Sequence, residues 1–337
     1  MIASLLEHAA RFHPHTEIVS RLPEGPMHRT TWGALLPRAK QVANALAQLG
    51  VQVGDRVATL AWNSHRHLTL YYGVSGTGAV LHTVNPRLFP EQITYIVNHA
   101  QDKVLFFDVT FAKLVEQLAP QLPSVQAFVA MTDRAHMPAI DVPNLLCYEA
   151  LMDAQSADYS WPELDEKSAS SLCYTSGTTG NPKGVLYSHR STVLHALMEL
   201  APDTFGISSS ETLMLIVPMF HANAWGLPYA ALMAGADIVM PEGINPPGDY
   251  FRVDARIVIW EEPDVLQVPS GALFRQGAHW AVYVIEDGRA VLRLVELGRM
   301  SGTSAQVLNG LAEQDQVIVH PSDKVKDGVS VLPRAAN

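Results

Sequence analysis

The chain has 337 residues, enough for two domains with a sizeable buried core. Hydrophobic residues make up 48% and charged residues 17%, a globular, soluble balance, and the formal net charge of −10 argues against a nucleic-acid or anionic-membrane partner. The two cysteines, Cys147 and Cys173, lie in unrelated contexts, which leaves no metal spacing and no disulfide framework and fits a reducing compartment.

Met1 to Ala10 reads as an amphipathic helix, without the basic start and long apolar core of a signal peptide. No window approaches the ~20 apolar residues of a membrane span, so a cytoplasmic protein is expected. Thr31-Trp32-Gly33 opens a second helix whose Leu35, Leu36, Ala39, Val42, Ala43, Leu46 and Leu49 recur at helical spacing, with Gly50 as its stop. Gly54-Asp55-Arg56 turns into the strand Val57 to Leu60. A mixed apolar stretch from Leu68 to Val84, a helix from Glu91 to His99 and a strand from Val104 to Asp108 follow. Helices alternating with short apolar strands predict an α/β layered domain with a largely parallel sheet. His65, His67 and His82 lack a metal-ligand spacing and are expected to be core or surface histidines.

Ser171 to Tyr174 then lead into Thr175-Ser176-Gly177-Thr178-Thr179-Gly180-Asn181-Pro182-Lys183-Gly184. Read by residue type, this is either a Ser/Thr/Gly linker or a loop that holds a polyphosphate. Glycines let backbone N–H groups approach a ligand closely, hydroxyls add donors, and Lys183 supplies one positive charge. The Walker A pattern is excluded, because Pro182 precedes the Lys and Gly184 follows it.

The run matches every specified position of the phosphate-loop signature Thr-Ser-Gly-Thr-Thr-Gly-x-Pro-Lys-Gly, and the chain resembles the adenylate-forming (AMP-binding) ligases, within them the fatty acyl-CoA synthetases. Leu81 to Pro90 and Ile96 to Ala100 are similar to the long- and medium-chain branch, and Ser188-His189-Arg190 with Thr192 to Leu197 continue the likeness. Ile216-Val217-Pro218 reads as a buried strand ending in Pro, ahead of Met219-Phe220-His221-Ala222-Asn223-Ala224-Trp225-Gly226-Leu227-Pro228. By chemistry alone that segment is equally a strand-to-helix junction with core aromatics. The resemblance implies the start of a helix lining an acyl pocket made of His221, Asn223, Trp225 and Gly226, with His221 near the carboxylate end and Trp225 and Gly226 shaping the tunnel. It also implies that Thr175 contacts Mg²⁺ and that Ser176, Gly177, Thr178, Thr179, Gly180, Lys183 and Gly184 grip ATP, with Lys183 and Thr175 as catalytic residues. Fatty acid, ATP and CoA are the implied substrates. Ala236 to Pro241 is the next strand.

Pro241 to Asp249 carries three prolines and two glycines and reads as a junction. Phe251 to Ile259 alternates as a half-buried strand, and Val265 to Pro269 follows. Trp280 to Ile285 and Ala290 to Leu297 flank an Asp-Gly hairpin turn at Asp287-Gly288. Gln306 to Leu308 and Gln316 to Val319 add two short strands. The predicted architecture is an α/β portion over residues 1–245, an incomplete adenylate-forming ligase large domain, followed by a small all-β barrel-like module over residues 246–337. Arg256 to Glu261, Val268 to Phe274, Gly310 to Glu313 and Val317 to Pro321 resemble the C-terminal β region of periplasmic efflux adaptors, the membrane fusion proteins.

The ligase resemblance stops before the family's aromatic-Gly-x-Thr-Glu motif, its ribose Asp, its hinge and its lid Lys. Asp323 to Val329 mimics the hinge but also fits the adaptor's ending, and the hinge reading is rejected. A truncated ligase, impaired or inactive as it stands, in a fused or rearranged reading frame is expected. The alternatives are a remnant that binds nucleotide or fatty acid without turnover, and an adaptor-type interaction module.

Overall fold

Helix α1 (Ile2–Phe12) buries Ile2, Leu6 and Ala9 along one stripe, the spacing that puts side chains on a single helical face. The computed structural model describes residues 1–175, 181–241, 265–300, 304–322 and 325–331. The chain divides into two units, residues 1–251 and 252–337.

In the first unit α1 is followed by β1 (Glu17–Arg21), β2 (Met27–Thr31) and α2 (Trp32–Gln48). Thr31 caps α2, its hydroxyl accepting the Ala34 N–H at 3.3 Å. Next come β3 (Arg56–Leu60), α3 (His65–Gly76), β4 (Val80–Thr83), α4 (Pro90–Ala100), β5 (Val104–Phe107), α5 (Ala112–Leu118), β6 (Ala127–Ala130), β7 (Leu145–Cys147) and α6 (Tyr148–Asp153). The unit closes with β8 (Ala169–Thr175), β9 (Lys183–Ser188), α7 (His189–Glu199), β10 (Thr212–Met214), α8 (Leu227–Ala234) and β11 (Asp237–Met240).

Seven strands form one sheet in the order β7-β6-β5-β3-β4-β8-β9, parallel throughout except for the antiparallel pair β8–β9. Such a sheet must be covered on both faces. Alternate residues do this: Val57, Val104, Phe106 and Val129 join the core under α2 and α3, while Ala58, Leu105, Phe107 and Phe128 join the core under α4 and α5. A second sheet of four strands, β10-β11-β1-β2, meets α2 through β2 and α3 through β1. Trp32 Nε1 donates to the Ala236 carbonyl at 3.1 Å and ties α2 to that sheet.

The three histidines are packing residues. His67 Nδ1 bonds the Trp62 carbonyl at 3.0 Å and its Nε2 the Thr59 hydroxyl at 2.9 Å, and burial lowers its pKa to about 4. His65 stacks on His28 with ring centroids 3.7 Å apart. His82 shares a 2.7 Å hydrogen bond with the equally buried Asp102.

In the second unit β12 (Gln267–Pro269), β13 (Phe274–Gln276), β14 (His279–Glu286), β15 (Arg289–Met300) and β16 (Ser304–Asn309) form an antiparallel sheet in the order β12-β16-β15-β14-β13. Asp287 and Gly288, with φ of 49° and 75°, make the left-handed turn between β14 and β15 that Asp-Gly favours. Its core gathers Val268, Ala272, Val282, Val284 and Val295. Gln316 to Val319 does not form the expected strand. It makes one isolated bridge, Val284 with Val317, because its backbone meets β14 only through Ile285 N–H to the Gln316 carbonyl and Ile318 N–H to the Tyr283 carbonyl. The strand expected over Phe251 to Ile259 lies outside the described residues.

A Cβ on Gly73 of α3 would stand 2.6 Å from Val42 Cγ1 and 3.0 Å from the Ala39 carbonyl oxygen of α2. Gly73→Ala is therefore expected to cost about 1–3 kcal/mol by overpacking. The first unit's urea transition, followed by helical circular dichroism, measures it; an unshifted midpoint would contradict this close approach.

Candidate functional site

Strand β8 is paired on both sides. Leu81, His82 and Thr83 of β4 face Ser171, Leu172 and Cys173, while Gly184 and Lys183 of β9 face Tyr174 and Thr175. The root of the glycine-rich loop is therefore clamped between Thr175 and Lys183, which stand opposite one another and are both exposed. Lys183 has no ion-pair partner among the described residues. Ser176, Gly177, Thr178, Thr179 and Gly180 lie outside the described residues. Gly184 packs closely on its neighbours, since a Cβ there would come within 3.0 Å of Leu172 Cδ1 and 3.2 Å of the Tyr174 ring.

Tyr174 anchors this root from below. Its hydroxyl is 2.6 Å from His99 Nδ1 on α4, and its ring lies 5.1 Å from that of His82. Burial, followed by the nearby Asp102 charge, pushes its pKa up to about 12, so it stays a neutral phenol.

The segment leading to His221 is not a buried strand up to Pro218. Strand β10 ends at Met214 and Ile216 is 54% exposed. The cause is Asn63, whose Nδ2 donates to the carbonyls of Leu215 (2.9 Å) and Val217 (3.0 Å) while its Oδ1 accepts the Met219 N–H (2.7 Å). A side chain satisfies the backbone groups that a neighbouring strand otherwise would. Tyr71 donates its hydroxyl to the Met219 carbonyl in the same stretch.

Beyond His221 the backbone turns left-handed. Ala222, Asn223, Ala224 and Trp225 have φ of 44°, 52°, 50° and 57°, and Gly226 has 83°. Helix α8 therefore begins at Leu227, after this turn, with Pro228 in its first turn, where a missing N–H costs nothing. Asn223 is buried and its Nδ2 donates to Ser171 Oγ at 2.8 Å, fastening the turn to β8. His221 and Trp225 are exposed. At Gly226 a Cβ would meet His195 Nδ1 at 2.5 Å and Glu199 Oε2 at 3.2 Å.

The structure thus brings Thr175, Lys183, Gly184 and Asn223 onto one strand pair, with Gly226 placed by α7. Sequence reading missed Asn63, Tyr174 and Glu199. Glu199 is only 4% exposed, neither carboxylate oxygen is hydrogen-bonded among the described residues, and His195 Nδ1 lies 3.6 Å away. Burial raises its pKa to about 7. None of the three announces itself by a motif; Asn63 and Tyr174 are identified by distant partners and Glu199 by its burial.

Residues 6–257 match the AMP-binding enzyme family, and residues 265–332 match the YknX C-terminal permuted SH3-like domain family. The chain is 53% identical over 241 residues to the 3-methylmercaptopropionyl-CoA ligase of Ruegeria lacuscaerulensis, covering 72% of this chain and 45% of the relative. It is 52% identical to the medium-chain-fatty-acid–CoA ligase of Ectopseudomonas oleovorans, covering 72% of this chain and 44% of the relative. Among solved structures, an anthranilate CoA ligase in complex with anthranoyl-AMP superposes with a TM-score of 0.63 at 25% identity, covering 71% of this chain and 44% of that one. The chain spans about half the length of the curated relatives it matches.

The Glu199 carboxyl, ordinarily titrating near 4.5, holds its proton to about pH 7 in the folded chain. Between those values the folded state binds one more proton than the unfolded state, so stability falls as pH rises through the window. The stability advantage of Glu199→Gln over the wild type is expected to grow from pH 4.5 to 7 and level off above. Denaturation midpoints across that range measure it; a pH-independent difference would contradict the buried, unpaired carboxyl.

Proposed function

The chain belongs to the AMP-binding enzyme family, and we propose that residues 1–245 supply the first part of the site of an ATP-dependent fatty acid–CoA ligase. The observation that carries this reading is the clamped loop root, with Lys183, which has no ion-pair partner among the described residues, opposite Thr175 across the β8–β9 pair. In the reaction a carboxylate attacks the α-phosphorus of ATP, giving an acyl-adenylate and pyrophosphate. A CoA thiol then displaces AMP and forms the thioester.

The residues' chemistry fits ATP. Lys183 offsets charge on the phosphates and the loop from Thr175 to Gly184 offers hydroxyls and backbone N–H groups, donors preorganised for the charge that develops on the leaving pyrophosphate. They fit Mg²⁺ only partly. Among the described residues no group of three or more His, Cys, Asp or Glu could hold a metal, so Thr175 is a single oxygen ligand and the rest would come from phosphates, water or residues elsewhere. The turn fastened by Asn223 to Ser171 supports reading His221, Asn223, Trp225 and Gly226 as acyl-pocket residues. ATP and CoA as substrates support a cytoplasmic reading. Among the described residues no helix is long and apolar enough to cross a membrane.

Because the match covers less than half of each relative, the 337-residue chain by itself is expected to turn over poorly. Losing one electrostatic partner of a transition state commonly costs ~10²–10³ in rate. Residues 246–337 are read as an adaptor-like interaction module in a chimeric chain, supported by the match over residues 265–332.

The test is ATP binding by calorimetry together with fatty-acid-dependent ATP–pyrophosphate exchange. ATP is expected to bind, Lys183→Ala to weaken binding about 10-fold or more, as loss of a charge-assisted contact does, and exchange to run at least ~10²-fold below a full-length relative. Binding indifferent to Lys183→Ala would overturn the site assignment, and exchange at a full-length rate would overturn the impairment.

A further inference from the structure

Strand β8 outruns its parallel neighbour. Its register with β4 ends where Thr83 meets Cys173, whereas its antiparallel register with β9 continues through Tyr174–Gly184 to Thr175–Lys183. The last residues of β8 and the first of β9 are therefore a two-stranded end, with no third strand beside it among the described residues. Two strands by themselves are marginally stable in water, so this end needs a tie to the body of the domain. The Thr175 hydroxyl does not supply one. It reaches only the Lys183 carbonyl, within the same end, at 3.5 Å, beyond the usual O–H···O range.

Tyr174 is the tie. Its hydroxyl, 2.6 Å from His99 Nδ1, makes the one side-chain hydrogen bond that joins this end to another element among the described residues. The His99 ring is held ready for it. Tyr95, one turn earlier on α4, stacks on that ring with centroids 5.5 Å apart, and Tyr174 meets it edge-on at 5.9 Å. Because the phenol keeps its proton, it donates and His99 Nδ1 accepts. The same phenol ring covers Gly184, where a Cβ would stand 3.2 Å from Tyr174 Cζ. Gly184 directly follows Lys183, so where the ring sits decides where the lysine backbone stands.

A lysine ammonium is a point charge on a flexible stem, and immobilising such a stem on a ligand costs entropy. A fixed backbone lowers that cost. We infer that Tyr174 is a positioning residue: through its hydrogen bond to His99 it holds Lys183 in place for the terminal phosphates of ATP, so that losing the bond weakens triphosphate binding and spares monophosphate binding. The inference rests on the ligase reading above.

The test is calorimetry of ATP and of AMP, which lacks the β- and γ-phosphates, on the full chain and its variants. Tyr174→Phe and His99→Leu are each expected to weaken ATP about 3–10-fold, the worth of one hydrogen bond, with AMP affinity unchanged. The double variant should bind ATP no more weakly than either single one, the mark of a shared bond. His99→Asn, whose amide oxygen can accept in place of Nδ1, should recover most of the loss. ATP and AMP weakening together, single effects that multiply, or no recovery in His99→Asn would each overturn the inference. Amide exchange reads the same bond without ligand. In Tyr174→Phe, residues 174, 175, 183 and 184 are expected to exchange about 3–10-fold faster while β3 and β5 are unchanged. Unchanged exchange at the hairpin end also overturns it. If Lys183→Ala weakens ATP binding and these variants do not, the ligase reading stands without the inference; if Lys183→Ala has no effect, both fall.

Discussion

Strand β8 has a partner on each side, and the candidate site depends on that. Its parallel contact with β4 locks it into the sheet, and its antiparallel contact with β9 returns the chain so that Lys183 faces Thr175. A side-chain bond from its Ser171 holds the turn at Asn223, and the phenol of its Tyr174 reaches His99 on α4. A single strand therefore carries the root of the candidate phosphate loop on its end and the turn at Asn223 on its flank. A shift of β8 along its axis would displace both together.

The turn it holds is costly by itself. Left-handed backbone costs about 1–2 kcal/mol for each non-glycine residue, and Ala222, Asn223, Ala224 and Trp225 all adopt it. One side-chain hydrogen bond contributes about 1 kcal/mol, too little to offset four such residues. The remainder comes from packing: Ala224 is fully buried, Met219 and Phe220 are in the core, and Asn63 fixes the approach through three hydrogen bonds. Backbone strain held this way is characteristic of segments that present residues to a ligand. Glu199 belongs to the same economy of constraint, since a side chain at Gly226 would run into it and into His195.

Legibility in the sequence follows the range of the interactions. The phosphate-loop run declares itself because its chemistry is local: small residues, hydroxyls and one Lys within ten positions. The buried strands β3 and β5 are legible as short apolar runs because a two-sided parallel sheet demands them. The strand expected at Ile216 to Pro218 fails for the opposite reason. Its hydrogen bonds go to Asn63, more than 150 residues earlier, and nothing in an apolar run followed by Pro reports that. Gln316 to Val319 fails likewise, as alternation does not guarantee more than one bridge to β14.

The sequence by itself determined the division into an α/β part and an all-β part and the helical and strand periods within each, and it singled out Thr175 to Gly184 as the candidate phosphate loop. These are set by residue type and spacing, which short-range sterics and burial translate directly into structure. The tertiary structure alone decided which face of α7 is outward, that His82 would pair with Asp102, and that the backbone from Ala222 to Gly226 would turn left-handed against β8. Each of those outcomes balances burial against hydrogen bonding between residues far apart in the chain, and no local pattern encodes that balance.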